Sequence, residues 1–202
     1  MTLAEKNTET QILEAAKTVF QRKGMTGARM QEIADEAGIN KALLHYYYRS
    51  KELLFKAVFK STFLLVAPAL KNILNGDSSI EQKIRDFTGN YIGFISKYPY
   101  IPNFIFQEIN RDPKFIEELL HHKDFPNIDK FRKQVQQEVE QGHIRPISAE
   151  QLFVNVLSLS VFPFIGAPLI KGVMKINDQE FIKMIEARKT LVADFIIDAI
   201  KI

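Results

Sequence analysis

Residues 28–52 read Ala28-Arg-Met-Gln-Glu-Ile-Ala-Asp-Glu-Ala-Gly38-Ile-Asn-Lys-Ala-Leu-Leu-His-Tyr-Tyr-Tyr-Arg-Ser-Lys-Glu52. Met30, Ile33, Ala34 and Ala37 recur at three- and four-residue spacing, which puts one apolar stripe on a short helix and leaves Gln31, Glu32, Asp35 and Glu36 to water. Gly38 stands where a left-handed residue stops that helix, a conformation glycine adopts without steric cost. Ile39 can plug the space between helices, and Asn40 is a good N-cap for the next one. Two short helices joined by a glycine turn form the helix-turn-helix pattern.

The second helix is expected from Lys41 to about Tyr47, with Leu44 and Tyr48 pointing inward. Its other face carries Lys41, Ala42, Leu43, His45 and Tyr46. In this motif the N-terminal residues of the second helix face base edges in the major groove. Lys41 can donate to guanine O6 or N7, Ala42 and Leu43 can touch a thymine methyl, and His45 can donate to or accept from a base edge. Arg29, Tyr47 and Lys51 suit phosphate oxygens, which position a protein without reading sequence. The partner this implies is double-stranded DNA. The same helix-glycine-helix pattern with an aromatic cluster also occurs in plain helical bundles, where Tyr46, Tyr47 and Tyr48 would only pack.

Over about residues 8–56 the chain resembles the tetracycline-repressor (TetR) family of transcriptional regulators. The resemblance is carried by Ile12-Leu13-Glu14-Ala15-Ala16 through Phe20, then Gly24, then Ile33 through Ile39, and Lys41 through Leu54 with Tyr47, Ser50, Lys51 and Glu52. It implies an all-helical homodimer, usually a repressor, with a three-helix DNA-binding head and a larger ligand-binding body. Two positions depart from the family pattern. Ala28 replaces the usual threonine, whose hydroxyl can cap a helix and bond a phosphate, leaving Arg29 to substitute. Ala42-Leu43 replaces a small pair such as Gly-Thr, so the base-reading surface is more apolar than usual.

Composition sets outer bounds. A chain of 202 residues is long enough to bury a substantial core. The net charge of +3 is too mild to argue for nucleic acid by itself. Residues 1–56 carry nine Lys and Arg against seven Asp and Glu, or +2, so the case rests on where the basic residues sit. The absence of cysteine excludes a disulfide framework and a thiolate metal site. The charged N-terminus (Glu5, Lys6, Glu9) lacks the apolar run of a signal peptide, and a cytoplasmic location is expected. From Gln151 to Ile170 no residue is charged, a length that would reach across a bilayer. Gln151, Asn155, Ser158, Ser160, Pro163, Gly166 and Pro168 interrupt the stretch, so a helix buried in protein is expected there and no membrane partner.

Turn and cap signals divide the remainder into helices, and the expected fold class is all-α. A first helix is expected from Thr8, opened by a Thr8–Gln11 capping box and closed at Gly24. Its stripe is Ile12, Ala16, Val19 and Phe20. Ser50 caps a long helix over 51–74 that contains Pro68, a residue that bends or breaks helices. A Ser79–Gln82 capping box opens the next, to Tyr98. Tyr98-Pro99-Tyr100-Ile101-Pro102 is a break and Asp112-Pro113 starts another helix. Phe125-Pro126-Asn127 precedes one ending at Gly142, Ser148 opens the uncharged helix, and Asn177-Asp178 caps the last. The domain division expected is 1–50 for the helix-turn-helix head and 51–202 for a helical ligand-binding and dimerisation body.

Thirteen of the 16 phenylalanines follow residue 60, so the body either packs solidly on aromatics or leaves an apolar pocket. Gly89 and Gly93 share a helix face, where missing side chains admit a neighbouring helix or a ligand. The resemblance implies a pocket among the middle helices, with Phe63, Tyr91, Phe94, Tyr98, Phe104 and Phe106 as lining and Asn103, Gln107 and His121 as polar contacts. The effector expected is a small apolar or aromatic molecule. On the last helix Phe181, Met184, Ile185, Leu191, Val192, Phe195, Ile196 and Ala199 make a stripe too wide for one contact. Together with the uncharged helix it suits a four-helix homodimer contact.

The working reading is a ligand-responsive repressor released from a palindromic operator. The alternative is a helical dimeric small-molecule-binding protein without sequence-specific DNA binding, and the DNA-facing residues separate the two. Catalysis, a cofactor and a metal site are not expected. His121 and His122 are adjacent and diverge on a helix, His143 stands alone after Gly142, and no nucleophile motif or phosphate-binding loop occurs.

Overall fold

The computed structural model describes residues 3–103, 105–106, 113–122 and 125–202. The described residues form ten named helices and no β-strand, as the all-α expectation requires. They are α1 (Leu3–Gly27), α2 (Met30–Glu36), α3 (Lys41–Tyr47), α4 (Lys51–Asn75) and α5 (Ile80–Lys97), followed by α6 (Pro113–Leu120), α7 (Asp129–Glu140), α8 (Ala149–Ile165), α9 (Ala167–Met174) and α10 (Asp178–Ile200). Chain contacts divide the molecule into two compact units, Met1–Leu64 and Leu65–Ile202. The division falls inside α4, later than the 50/51 boundary expected from sequence.

In the first unit Ile12, Ala16, Val19 and Phe20 of α1 are completely buried, together with Ile33 and Ala34 of α2 and Leu44 of α3. Leu54, Phe55 and Val58 of α4 are equally buried. The Phe20 and Phe55 rings meet edge-on with centroids 4.7 Å apart. Each such side chain contributes about 1.5–3 kcal/mol on burial, which is why the first half of α4 folds with the head. The helix α1 begins at Leu3, ahead of the expected start at Thr8. Leu3, Ala4, Glu5 and Lys6 are strong helix formers and carry it on toward the N-terminus. The side chain of Gln11, expected in a capping box, donates instead to the Ala37 carbonyl at 2.7 Å. Gly24 stops α1 as expected, with φ 66° and ψ 177°, and one further turn closes at Gly27.

The second unit is a helical body. The helix α4 starts on the Ser50 hydroxyl, which accepts from the Leu53 N–H at 3.2 Å, and continues through Pro68 without a break. Pro68 is exposed, so the Leu64 carbonyl that loses its helical donor there does so near the surface. The end of α4 is held by Lys83 of α5, whose buried ammonium donates to the Leu74 carbonyl at 3.0 Å and to Gln134 Oε1 of α7 at 2.6 Å. Gln134 in turn donates to the Ser78 carbonyl at 3.0 Å. Burial holds the Lys83 ammonium below the usual lysine range. A cation is favoured at a helix C-terminus, and here it joins three elements.

Ser79 caps α5 as expected, accepting from the Gln82 N–H at 3.2 Å, but the Gln82 amide reaches forward to Asp86 Oδ1. The helix α5 packs along α10 and α8: Ile92 and Ile95 share a core with Phe164 and Ile185, and the Thr88 hydroxyl donates to the Lys189 carbonyl at 3.1 Å. Neither Gly89 nor Gly93 is forced by close packing. A Cβ on Gly93 would lie 3.8 Å from Lys189 Cε, and one on Gly89 would meet nothing within 4 Å. The break after Tyr98 is shorter than expected, because residues 101–103 are already helical.

The uncharged segment differs from the single helix expected. It is two helices, α8 and α9, bent by 73° across Gly166. Pro168 lies at the start of α9, where its missing N–H costs least, and the chain turns just before it. By length and composition α4, with mean hydropathy 1.7 over its apolar window, could also span a bilayer, and 44% of that window is buried inside the chain. The same properties mark the core helix of a soluble protein. Asn177 and Glu180 form a reciprocal capping box on α10, with bonds of 3.0 and 2.8 Å.

Candidate nucleic-acid interface

The turn between α2 and α3 is built as the sequence indicates. Gly38 has φ 64°, its N–H donates to the Asp35 carbonyl at 3.1 Å, and the Ile39 N–H donates to Ala34 at 3.0 Å. This Schellman arrangement satisfies carbonyls left open at the end of α2. Two residues on, Asn40 Oδ1 accepts from the Leu43 N–H at 2.8 Å and starts α3. Leu44 and Tyr48 are buried, which fixes the rotation of α3. Lys41, Ala42, Leu43, His45 and Tyr46 are consequently exposed together, and Tyr47 is half-buried. The Tyr46 and Tyr47 rings meet edge-on at 5.5 Å.

Further contacts set this face on the head. The Tyr48 hydroxyl donates to Glu9 Oε1 at 3.0 Å, and burial together with the Glu9 carboxylate pushes the Tyr48 phenol far above the usual tyrosine range. The acidic side of α2 is partly neutralised by α1. Lys23 pairs with Glu32, and Arg22 lies 3.5 Å from Glu36. The Lys23 hydrogen bond holds the Glu32 carboxyl below the usual range. Exposed pairs of this kind contribute little to stability, so their larger effect is to reduce repulsion toward a phosphate backbone.

The phosphate candidates differ in their surroundings. Arg29 is exposed at the N-cap of α2, and its backbone N–H donates to Glu32 Oε2 at 3.3 Å. Lys51 is half-buried, and its ammonium donates to the Ala28 carbonyl at 3.1 Å and the Thr26 carbonyl at 3.5 Å. Lys41 has no hydrogen-bond or ion-pair partner among the described residues and is free to meet a ligand.

Comparison with known proteins agrees with this geometry. Residues 12–58 match the family model described as bacterial regulatory proteins, tetR family. The chain is 21% identical over 184 residues to the probable HTH-type transcriptional regulator YttP of Bacillus subtilis, covering 88% of each chain. Residues 12–58 carry the tetR-family domain. The chain is also 29% identical over 92 residues to the HTH-type transcriptional repressor NicS of Pseudomonas putida, an alignment spanning 46% of this chain and 43% of NicS. Among solved structures, the transcriptional regulator FadR of Bacillus subtilis in complex with stearoyl-CoA superposes with TM-score 0.64 at 12% identity, covering 94% of this chain and 98% of FadR.

In the body the expected pocket residues separate into groups. Tyr91 and Phe94 pack against the Ile92–Ile95–Phe164–Ile185 core, and Phe94 and Tyr98 rings lie 5.3 Å apart. Burial pushes the Tyr91 phenol up to about 12. Phe63 stacks on Phe59 at 5.7 Å within the first unit. Asn103, Phe106 and His121 are exposed, and His121 Nδ1 lies 2.8 Å from the Glu117 carbonyl. Phe104 and Gln107 lie outside the described residues.

Two features had escaped the sequence reading. A cleft of about 420 Å³ opens between α8 and α10, floored by Leu152, Leu159, Ile196 and Ile200 and bordered by Asn155 and Phe195. Arg188 of α10 is half-buried: one guanidinium nitrogen donates to the Leu159 carbonyl at 2.7 Å, while Nε is buried without an acceptor among the described residues. Its position three residues beyond Ile185 in an apolar stripe was the available signal.

Proposed function

We propose that this chain is a homodimeric, ligand-responsive repressor that binds a palindromic double-stranded operator through α3. The observation carrying this reading is the exposed row Lys41–Ala42–Leu43–His45–Tyr46, held by the Asn40 cap and the buried Leu44 and Tyr48. Lys41, Ala42, Leu43, His45 and Tyr46 meet base edges, and Arg29, Tyr47 and Lys51 meet phosphates. The similarity to the repressor NicS supports the negative sign of regulation.

Dimerisation follows from outward apolar side chains on α8 and α10. Leu191 and Phe195 are 61% and 66% exposed, while Ile185, Val192 and Ile196 of the same helix are buried. One side of α10 therefore completes the core and the other awaits a partner. Val154 and Phe162 of α8 are exposed in the same way, which suits an isologous four-helix seam. The effector is a small apolar or aromatic molecule held beside Tyr91, Phe94 and Tyr98. The FadR complex with stearoyl-CoA supports a ligand bearing a long apolar chain in this fold. Effector binding favours a head spacing that no longer fits the groove, with α4 as the continuous element. Coupling of about 1–3 kcal/mol would lower operator affinity roughly 5- to 150-fold.

Selection from a pool of genomic fragments at two salt concentrations tests the reading. Enrichment of a palindrome with half-sites about 34 Å apart is the expected result. Weak, sequence-blind and salt-sensitive binding would instead favour a dimeric small-molecule-binding protein whose head no longer reads DNA.

A further inference from the structure

The outward face of α3 is divided lengthwise. Lys41 and His45, four residues apart, form one edge. Ala42 and Tyr46, also four apart, form the next, with Leu43 alongside them. Leu44 and Tyr48 are turned into the core, and this rotation gives the apolar group to the outside: Leu43 is 36% and Tyr46 75% exposed. The Tyr46 ring is braced on one side by the Tyr47 ring, with centroids 5.5 Å apart.

The same face lacks the side chains that read adenine and cytosine by hydrogen bonds. Adenine is met by a bidentate Asn or Gln, and the cytosine amino group by Asp or Glu. Residues 41–46 contain none of these. Asn40, just ahead of them, has its side-chain oxygen bonded to the Leu43 N–H at 2.8 Å, not free for a bidentate contact. Lys41 only donates, so it reads acceptors such as guanine O6 and N7. An A·T pair is then left to be recognised from its thymine side, where the C5-methyl is the mark that an apolar side chain can touch.

We propose that the Ala42–Leu43–Tyr46 patch reads pyrimidine C5-methyl groups in the major groove, so that operator affinity depends on methyl contact as well as on the Lys41 hydrogen bond. The inference rests on the operator reading proposed above and names the chemistry of that site. Leu43 is the central reader. It stands in the first turn of α3, the end of the helix that faces base edges, and its own N–H is held by the Asn40 cap. Charge favours a duplex as the occupant, since α3 has no acidic residue and Lys41 beside the patch is unpaired among the described residues. The same contact extends beyond thymine. 5-Methylcytosine presents its methyl group at the same ring position, so cytosine methylation under the patch should strengthen binding.

The test uses the palindromic duplex recovered by the genomic selection, synthesised with thymine replaced by uracil at one position of each half-site in turn. Uracil keeps every hydrogen-bonding group of thymine and lacks only the methyl. The expected result is an affinity loss, at a thymine in each half-site, of roughly fourfold per half-site, as for one buried methyl-sized group. Cytosine placed there should bind more weakly than 5-methylcytosine by the same factor. Leu43→Ala keeps the N–H that Asn40 accepts and truncates the reader. With its helicity checked by circular dichroism, this variant should lose the discrimination between thymine and uracil. An effect of uracil on the stiffness of the duplex would instead give the same ratio in both proteins. Equal affinity of wild type for the thymine and uracil duplexes at every position would overturn the methyl reading and leave operator binding intact. Discrimination that persists in both Leu43→Ala and Tyr46→Ala would also overturn it. A selection that yields no motif would overturn the operator reading and this inference together.

Discussion

The Lys51 ammonium donates to the Ala28 carbonyl at 3.1 Å, tying the start of α4 to the segment that leads into α2. A lysine expected to meet phosphate therefore also holds the backbone beside Arg29. Lys51→Ala should lower head stability by about 1 kcal/mol through the lost bond. It should also weaken binding to every duplex sequence and reduce the salt slope of log affinity by about 0.9 if one phosphate contact is lost. Urea unfolding and anisotropy titrations at several salt concentrations measure the two effects. Lower affinity with an unchanged slope would leave Lys51 the positioning role alone.

Asn40→Ala removes the oxygen that accepts from the Leu43 N–H and should cost about 1 kcal/mol. The damage falls on the first turn of α3, which carries Lys41, Ala42 and Leu43. Operator affinity should drop while dimer mass is unchanged. Retained affinity with full stability would mean that α3 is fixed by Leu44 and Tyr48 packing without the cap.

Tyr48→Phe breaks the bond to Glu9 and should cost about 1 kcal/mol near neutral pH. The pH dependence has a definite sign. Folding raises the Tyr48 pKa above its ordinary value of 10, so this contribution is complete below pH 10 and is lost as pH rises beyond it. The difference between wild type and variant should therefore shrink in alkaline solution, as seen by urea unfolding at pH 7 and above pH 10. A difference that grew with alkalinity would contradict the assignment.

Phe195→Asp should convert the dimer to a helical monomer. A buried phenylalanine contributes about 1.5–3 kcal/mol, and two-fold symmetry counts each substitution twice. Light scattering at micromolar concentration reads the mass, and circular dichroism checks the fold. A persistent dimer would place the contact away from the outward face of α10.

The head was legible in sequence because its signals are local. Gly38, Asn40 and the spacing of Leu44 and Tyr48 specify turn, cap and rotation within a dozen residues, and α3 has the bounds expected. Features that depend on distant partners were not legible. Nothing near Lys83 says that it caps α4 and bonds Gln134, and nothing near Gln11 says that it reaches Ala37. The double face of α10 was readable from an overly wide stripe, yet the same apolar content hid the split at Gly166, where an uncharged run looked like one helix. Whether the expected effector pocket exists was least legible, because an aromatic that packs and one that lines a cavity have the same sequence signature.

The most direct test of base reading by α3 is to run the genomic selection in parallel with wild type and Lys41→Ala. Losing one bidentate contact should cost about 1–3 kcal/mol at one base pair. The expected outcome is the same palindrome with its preference relaxed at one symmetric position in each half-site. An unchanged motif, or wild-type selection without any motif, would contradict the claim that the N-terminal residues of α3 read the operator.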